Sequence, residues 1–305
     1  MTTVHTLDLN YLGTPRCIAS YLLVADDGPV MIETGPGSAT GGLSAGLAEL
    51  GYTPADVKHV LVTHIHFDHA GASGWMARHG AHVYVHELGY NHLLDPARLN
   101  ESARRIYKDQ MDALWGELIP IPESQLTAVG DNDLLNLEGI TIRALDTPGH
   151  AKHHHAYAVD TDQGRVCFTG DAAATFIPDT GSFVSVPTPP PEFELDTWFA
   201  SIERLESENF DRLYPTHFGP VDDPPRHLAR VKPHLHAHAE FILSLMNESL
   251  DRHAILQRYT DWWVSQARQA GVGDDMLHFY VKSMADMNVT GIMRYWTKRA
   301  EKASA

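Results

Sequence analysis

The chain has 305 residues and a formal net charge of −16. Its length and its 43% of hydrophobic residues are enough to bury a full core without disulfide bonds. The negative charge argues against a nucleic-acid partner and favours small-molecule ligands. Its two cysteines, Cys17 and Cys167, lie far apart and predict buried thiols in a reducing compartment. The N-terminus lacks a signal-peptide pattern and no stretch is long and apolar enough to span a membrane, so we expect a cytoplasmic protein without a membrane partner. The sequence leaves undecided whether the protein forms a homodimer.

The first half of the chain alternates strand and helix patterns. The predicted elements are strands at 17–24 and 30–33, a helix in the forties ending at Gly51, a helix start at 53–56, strands at 60–62 and 81–85, and helices over 87–119. Such alternation is typical of an α/β protein.

The second half changes character near residue 220. Strands are predicted at 134–137, 140–145, 154–159 and 166–169, then a proline-rich loop at 187–191 and a helix capped by Asp196. Long amphipathic stretches at 226–250, 254–270 and 276–298 predict helices, in which we interpret His234 and His238 as part of a solvated face. We therefore expect a catalytic domain over 1–220 and a helical extension over 221–305 that packs on it.

Seven metal-capable side chains follow predicted strands: His64, His66, Asp68, His69, His150, Asp171 and His217. Imidazole and carboxylate together suit borderline-soft divalent ions. His64 and His66 alternate by two in an extended segment, so both rings can face one side, and Asp68 follows after the chain turns. Differently aimed neighbouring ligands can serve two ions that share a nucleophilic water, and Asp171 is the natural bridging carboxylate.

These motifs resemble those of the metallo-β-lactamase superfamily over residues 17–219. The run 64–69 matches its His-x-His-x-Asp-His motif, 147–150 its third motif, 168–171 its bridging aspartate and 215–217 its last histidine. The resemblance implies an α/β fold, a four-layered αβ/βα sandwich with a helical C-terminal extension. It also implies two divalent metal ions, with zinc expected first and manganese or iron as alternatives.

The resemblance further implies a role for each residue. His64, His66 and His150 would hold one ion; Asp68, His69 and His217 would hold the other; Asp171 would bridge them. Asp68 and Asp171 are the expected catalytic residues, because Asp68 could also accept a proton from the nucleophilic water. Glu33 stands where relatives commonly carry aspartate, and with His154 it is expected to orient ligands rather than to bind metal.

Two side-chain choices narrow the activity. Flavodiiron-type relatives typically carry Glu where His66 stands, and true β-lactamases typically lack an equivalent of Asp171. The pattern resembles glyoxalase II-like thioesterases and lactonases, so we expect a metal-dependent hydrolase using a metal-bridging hydroxide on a small ester, thioester or lactone. The alternatives are a mononuclear iron dioxygenase of thiol persulfides, a phosphodiesterase on the same fold, and a non-catalytic binding protein. Candidates for an apolar wall suited to an acyl chain are Phe67, Tyr107, Met111, Trp115, Phe176, Phe183 and Phe218.

Overall fold

A computed structural model describes residues 2–177, 180 and 183–304. The chain forms two compact units, each assembled from several stretches. The first comprises Met1–Asp146, His153–Gly170 and Phe210–Asp222, and the second Thr147–Lys152, Asp171–Asn209 and Asp223–Ala305. The domain division at residue 220 stays a prediction.

The first unit contains two β-sheets. One has the strand order β1 (Thr3–Asp8), β2 (Ala19–Val24), β3 (Pro29–Ile32), β4 (His59–Leu61), β5 (His82–His86) and β6 (Leu126–Val129). The other has the order β11 (Arg212–Pro215), β10 (Gly164–Gly170), β9 (His155–Thr161), β8 (Ile140–Asp146) and β7 (Leu134–Leu137). Pairing is parallel from β3 to β6 and between β10 and β11, and antiparallel elsewhere. The sequence predicted eight of these strands, with small boundary shifts, but not β1, β6 or β11.

Residues of alternate positions in both sheets form one apolar core. Tyr21 of β2, Phe168 of β10 and Tyr214 of β11 meet there, with ring centroids 5.3 Å apart for Tyr21–Phe168 and 5.1 Å for Tyr21–Tyr214. The Tyr21 hydroxyl donates to the Pro215 carbonyl at 2.5 Å, so this buried polar group is satisfied. Phe218 belongs to the same core, so it packs among the sheets' side chains instead of lining the predicted apolar wall.

Helices of the first unit fill the connections between strands. They are α1 (Thr40–Glu49), α2 (Phe67–Ala70), α3 (Ser73–Arg78), α4 (Glu87–Leu94), α5 (Ala97–Tyr107) and α6 (Met111–Leu114). Gly51 follows α1 at φ +82°, as the predicted helix end requires. The predicted helix start at 53–56 forms only one 3₁₀ turn, whose Thr53 amide donates to the Asp56 carboxylate at 2.7 Å.

The second unit is largely helical. Its helices are α7 (Leu195–Ser207), α8 (Pro224–Asn247), α9 (Arg252–Gln269), α10 (Asp274–Leu277) and α11 (Ala285–Ser304), with a π-helical turn over His278–Lys282. Among the described helices none has the length and apolar character needed to cross a membrane.

Two predictions for this unit are wrong. Asp196 does not cap α7 but lies in its first turn, where its carboxylate accepts a hydrogen bond from Arg299 at 2.5 Å. His238 is not on a solvated face: it is 2% exposed, and its Nδ1 lies 2.6 Å from the Tyr259 hydroxyl. Helical spacing shows which residues share a face, but not which face packs inward.

Candidate metal centre

The first ligand run begins just past the end of β4. The chain continues from Leu61 to His64, and α2 then begins, with Asp68 and His69 in its only turn. His64 and His69 are fully buried, whereas His66 and Asp68 are half-buried. The Nε2 of His64 lies 2.8 Å from the Nδ1 of His66, so these two rings converge on one point.

Asp68, His69 and His217 form a group that could hold a cation. One ligand atom from each lies within 4.8 Å of the others. The Asp68 Oδ2 is 3.3 Å from the His217 Nε2 and 3.8 Å from the His69 Nε2. Two imidazole nitrogens and a carboxylate oxygen at these separations match the donor types of a zinc site.

Glu33 lies just beyond the carboxyl end of β3 and forms hydrogen bonds with His69 and with the neighbours of His64 and His217. It is 1% exposed, and its Oε1 accepts hydrogen bonds from the Thr63 hydroxyl at 2.5 Å and the His69 Nδ1 at 3.0 Å. The Thr216 hydroxyl, next to His217, donates to the same oxygen at 3.2 Å.

The same carboxylate also reaches His64 through an intervening hydroxyl. The Thr63 Oγ1 lies 3.1 Å from the His64 Nδ1, so it accepts from His64 while donating to Glu33. Glu33, His64 and His69 also lie close enough to hold a cation. Because three donors already occupy its Oε1, however, Glu33 is better suited to orienting histidines than to binding metal.

Three further residues shape the first unit's site. His217 is buried, and its Nδ1 donates to the Cys17 carbonyl at 2.8 Å, which leaves its Nε2 directed toward Asp68. His154 is also fully buried, with its ring centroid 4.9 Å from that of His64. Gly170 has φ +50°, and a Cβ there would collide with Thr63 and come within 2.7 Å of the His154 Nε2, so only glycine fits.

The second unit brings together the other two predicted residues, His150 and Asp171. The His150 Nε2 lies 3.2 Å from the Asp171 Oδ2, and both side chains are at least 97% buried. The His150 Nδ1 donates to the Pro187 carbonyl at 2.9 Å. This ring is therefore held from behind by an oxygen acceptor and faces a carboxylate in front.

Helix α7 fixes the segments that carry these two residues. Gly149 has φ +130°, and a Cβ there would collide with the backbone of Trp198, so glycine allows the chain before His150 to lie against the helix. The Trp198 indole donates to the Ala172 carbonyl at 2.8 Å, immediately after Asp171.

The donor set fits divalent metal ions. In His69, His150 and His217 the Nδ1 donates to an oxygen and the Nε2 faces a carboxylate, so in the neutral ring the lone pair lies on this Nε2. This pairing of an outer acceptor with an inward nitrogen is typical of metal-ligating histidines. A carboxylate in a buried site costs free energy unless a cation compensates its charge.

An aromatic cluster of Tyr11, Tyr107 and Trp115 lies close to Asp68 in the first unit. The Trp115 ring centroid is 5.7 Å from that of Tyr11 and 5.6 Å from that of Tyr107. Burial, and then the nearby Asp68 carboxylate, raise the pKa of both tyrosines. The sequence named Tyr107 and Trp115 as wall candidates but gave no signal for Tyr11, which stands outside any predicted element.

A family model described as the metallo-beta-lactamase superfamily matches residues 13–217, which is more than half of the chain. The chain belongs to the metallo-β-lactamase superfamily. The chain has the mixed α/β fold of the superfamily, with two sheets, helices and a helical C-terminal extension, as the sequence predicted.

Known members show how far the similarity extends. The metallo-β-lactamase family protein TTHA1429 of Thermus thermophilus superposes with a TM-score of 0.68 at 25% identity, covering 97% of this chain and 94% of that one. The metallo-beta-lactamase fold-containing protein ST1585 of Sulfurisphaera tokodaii is 27% identical over 206 residues, 66% of this chain and 72% of that protein.

The fungal relatives are longer than this chain. An atrochrysone carboxyl ACP thioesterase of Cryptosporiopsis sp. is 26% identical over 167 residues, 55% of this chain and 38% of that protein. The chain spans 60% or less of the fungal lactamase-like relatives that it matches.

Proposed function

We propose that this superfamily member is a metal-dependent hydrolase of an ester, thioester or lactone. One observation carries the proposal: His69, His150 and His217 each donate through Nδ1 to an oxygen and direct Nε2 toward a carboxylate. That pattern prepares nitrogen lone pairs for cations. Following the superfamily motif, we assign His64, His66 and His150 to one ion, Asp68, His69 and His217 to a second, and Asp171 to both, with zinc expected first and manganese or iron as alternatives.

The chain's own residues supply proton transfer and orientation. Two divalent ions, when bound, make water nucleophilic at neutral pH and stabilise negative charge on a carbonyl oxygen. The Asp68 side chain is 22% exposed, whereas those of His69 and His217 are buried, so substrate and water can approach its carboxylate. Asp68 accepts a proton from water as the water oxygen bonds to the acyl carbon, and the departing oxygen or sulfur receives that proton when the acyl bond breaks.

The aromatic cluster supports an acyl substrate with an apolar group. Tyr11, Tyr107 and Trp115 present rings near Asp68, and Met111 beside them is fully buried. Ligand sites are lined mainly by apolar and aromatic side chains with a few polar groups that orient the ligand. Two relatives are named atrochrysone carboxyl ACP thioesterases, which favours a thioester among the three bond types.

A substrate screen with metal-loaded protein tests the proposal. Acyl thioesters, lactones and phosphodiesters are compared under the same conditions, and we expect turnover of a thioester or lactone at least tenfold above that of any phosphodiester. Asp68→Asn removes the proton acceptor and is expected to lower kcat by a factor of about 10²–10⁴. Glu49→Gln removes an exposed carboxylate and should retain full activity. Preferential turnover of phosphodiesters, or an active Asp68→Asn variant, would overturn the assignment.

A further inference from the structure

The orientation of His150 depends on a loop that has no regular secondary structure. The His150 Nδ1 donates to the Pro187 carbonyl at 2.9 Å, and its Nε2 lies 3.2 Å from the Asp171 Oδ2. Pro187 lies in an irregular segment, so no helix or strand hydrogen bonding fixes the peptide group that carries its carbonyl. Whatever holds Pro187 therefore also holds the imidazole.

A single side chain from α11 holds the residues on both sides of Pro187. The Asn288 Oδ1 accepts from the Thr188 amide at 2.8 Å, and its Nδ2 donates to the Val186 carbonyl at 2.9 Å. Asn288 is completely buried. A side-chain amide that both donates and accepts can fix two successive peptide groups at once, as Asn288 does here.

The backbones of the helix and the loop lie in close contact at this point. A Cβ on Gly291, one turn after Asn288, would collide with the Thr188 carbonyl. The Thr188 hydroxyl also lies 3.5 Å from the Asn288 carbonyl. The loop is therefore docked on α11 through backbone contacts, with Asn288 at their centre.

Asn288 also bonds to a buried pair of side chains that lies outside the loop. Its Nδ2 also donates to the Tyr259 hydroxyl of α9 at 3.1 Å, and that hydroxyl lies 2.6 Å from the His238 Nδ1 of α8. The Tyr259 hydroxyl accepts a hydrogen bond from Asn288 and donates one to His238, so both its oxygen and its hydrogen have a partner.

We propose that Asn288 is a positioning residue for the metal centre. By fixing Val186 and Thr188 it sets the position of the Pro187 carbonyl, and this carbonyl sets the direction of the His150 Nε2. The helical C-terminal region thereby contributes to metal affinity without donating a ligand. The inference rests on the proposed function, in which His150 binds metal.

The test compares two variants that both break this network. Asn288→Leu removes both bonds to the loop with little change in side-chain volume. Tyr259→Phe removes the bonds of the hydroxyl to Asn288 and His238 but leaves both loop bonds intact, so it is a matched control for lost buried hydrogen bonds. Zinc affinity is measured by competition with a chromophoric chelator, and the absorption spectrum of the cobalt-substituted protein reports ligand geometry.

We expect Asn288→Leu to weaken zinc binding about tenfold and to alter the cobalt spectrum, because loss of outer partners typically costs 10–100-fold in metal affinity. Tyr259→Phe should stay within about threefold of wild type even if both variants lose similar thermal stability. If Asn288→Leu does not fold, Asn288→Ser, which is too short to span both peptide groups, is expected to show the same loss of affinity.

Wild type and His150→Ala separate the two levels of the proposal. If wild type binds no zinc, or His150→Ala binds it as wild type does, the proposed function fails. If His150→Ala weakens binding while Asn288→Leu matches Tyr259→Phe, the metal assignment stands and the role of Asn288 is refuted.

Discussion

Replacing Glu33 by glutamine tests whether this carboxylate organises the candidate metal centre. The carboxylate accepts four hydrogen bonds: from the Thr63 hydroxyl at 2.5 Å, the Thr63 amide at 3.3 Å, the His69 Nδ1 at 3.0 Å and the Thr216 hydroxyl at 3.2 Å. Glutamine has nearly the same shape but no charge, and one end of it is a donor. If the glutamine oxygen keeps the Thr63 hydroxyl, His69 and Thr216 as partners, its NH₂ group faces the Thr63 N–H. Two donors then meet without an acceptor between them.

The expected cost follows from those contacts. A hydrogen bond to a charged group contributes about 1.5–3 kcal/mol, a neutral one about 0.5–1.5 kcal/mol, and an orphaned buried donor costs about 1–3 kcal/mol. With non-additivity, we expect Glu33→Gln to lower the free energy of unfolding by about 3 kcal/mol. Since His69 then donates to a neutral amide oxygen and not to a carboxylate, its ring is strengthened less as a ligand, and zinc affinity should fall about 10–100-fold.

Urea unfolding of the metal-free protein and chelator competition with zinc measure the two effects separately. Glu49→Gln, an exposed position, controls for the loss of one negative charge. A Glu33→Gln variant whose stability lies within about 0.5 kcal/mol of wild type, the range of ordinary surface substitutions, would refute the reasoning, as would an unchanged zinc affinity.

Two other predictions concern packing and pH. In urea unfolding, Gly170→Ala should lower the free energy of unfolding by about 1–3 kcal/mol more than Gly51→Ala. Both glycines have positive φ, but only a Cβ at Gly170 would meet neighbouring atoms. An equal loss of stability in the two variants would contradict this. Burial, and then nearby His234, lower the pKa of His238 to about 3, so the folded state keeps it neutral while the unfolded chain protonates it near pH 6.5. The contribution of neutral His238 to stability is therefore complete above about pH 6.5 and is lost as the pH falls toward 3; at about pH 5 the loss is about 2 kcal/mol. His238→Asn should make the free energy of unfolding depend less on pH over this range. An unchanged pH dependence in the variant would contradict the assignment.

The fold class followed from the sequence because local patterns and motifs agreed. Continuous apolar runs marked strands such as 60–62, and the histidine run directly after that strand predicted the edge of the sheet at which the candidate site lies. Strands β1, β6 and β11 escaped prediction because they are short or mix polar and apolar residues, so pairing with neighbours decides their conformation.

The parts of the candidate site that orient its ligands were harder to predict. The acceptors behind His217 and His150 are the backbone carbonyls of Cys17 and Pro187, and a backbone carbonyl leaves no mark in residue identity. Asn288 lies in a helix that the sequence treated only as an extension, about 100 residues from the loop that it holds. Long-range hydrogen bonds of this kind are set by tertiary packing, which periodicity alone does not encode.

Metal analysis combined with activity measurement tests the central claim most directly. The purified chain is loaded with zinc, manganese or iron, freed of excess ion, and its metal content is compared with its rate of ester, thioester and lactone hydrolysis. We predict about two equivalents per chain, with hydrolysis appearing as the second equivalent binds and disappearing in Asp171→Ala. A single iron per chain together with oxygen consumption, or unchanged hydrolysis in Asp171→Ala, would contradict the two-metal hydrolase.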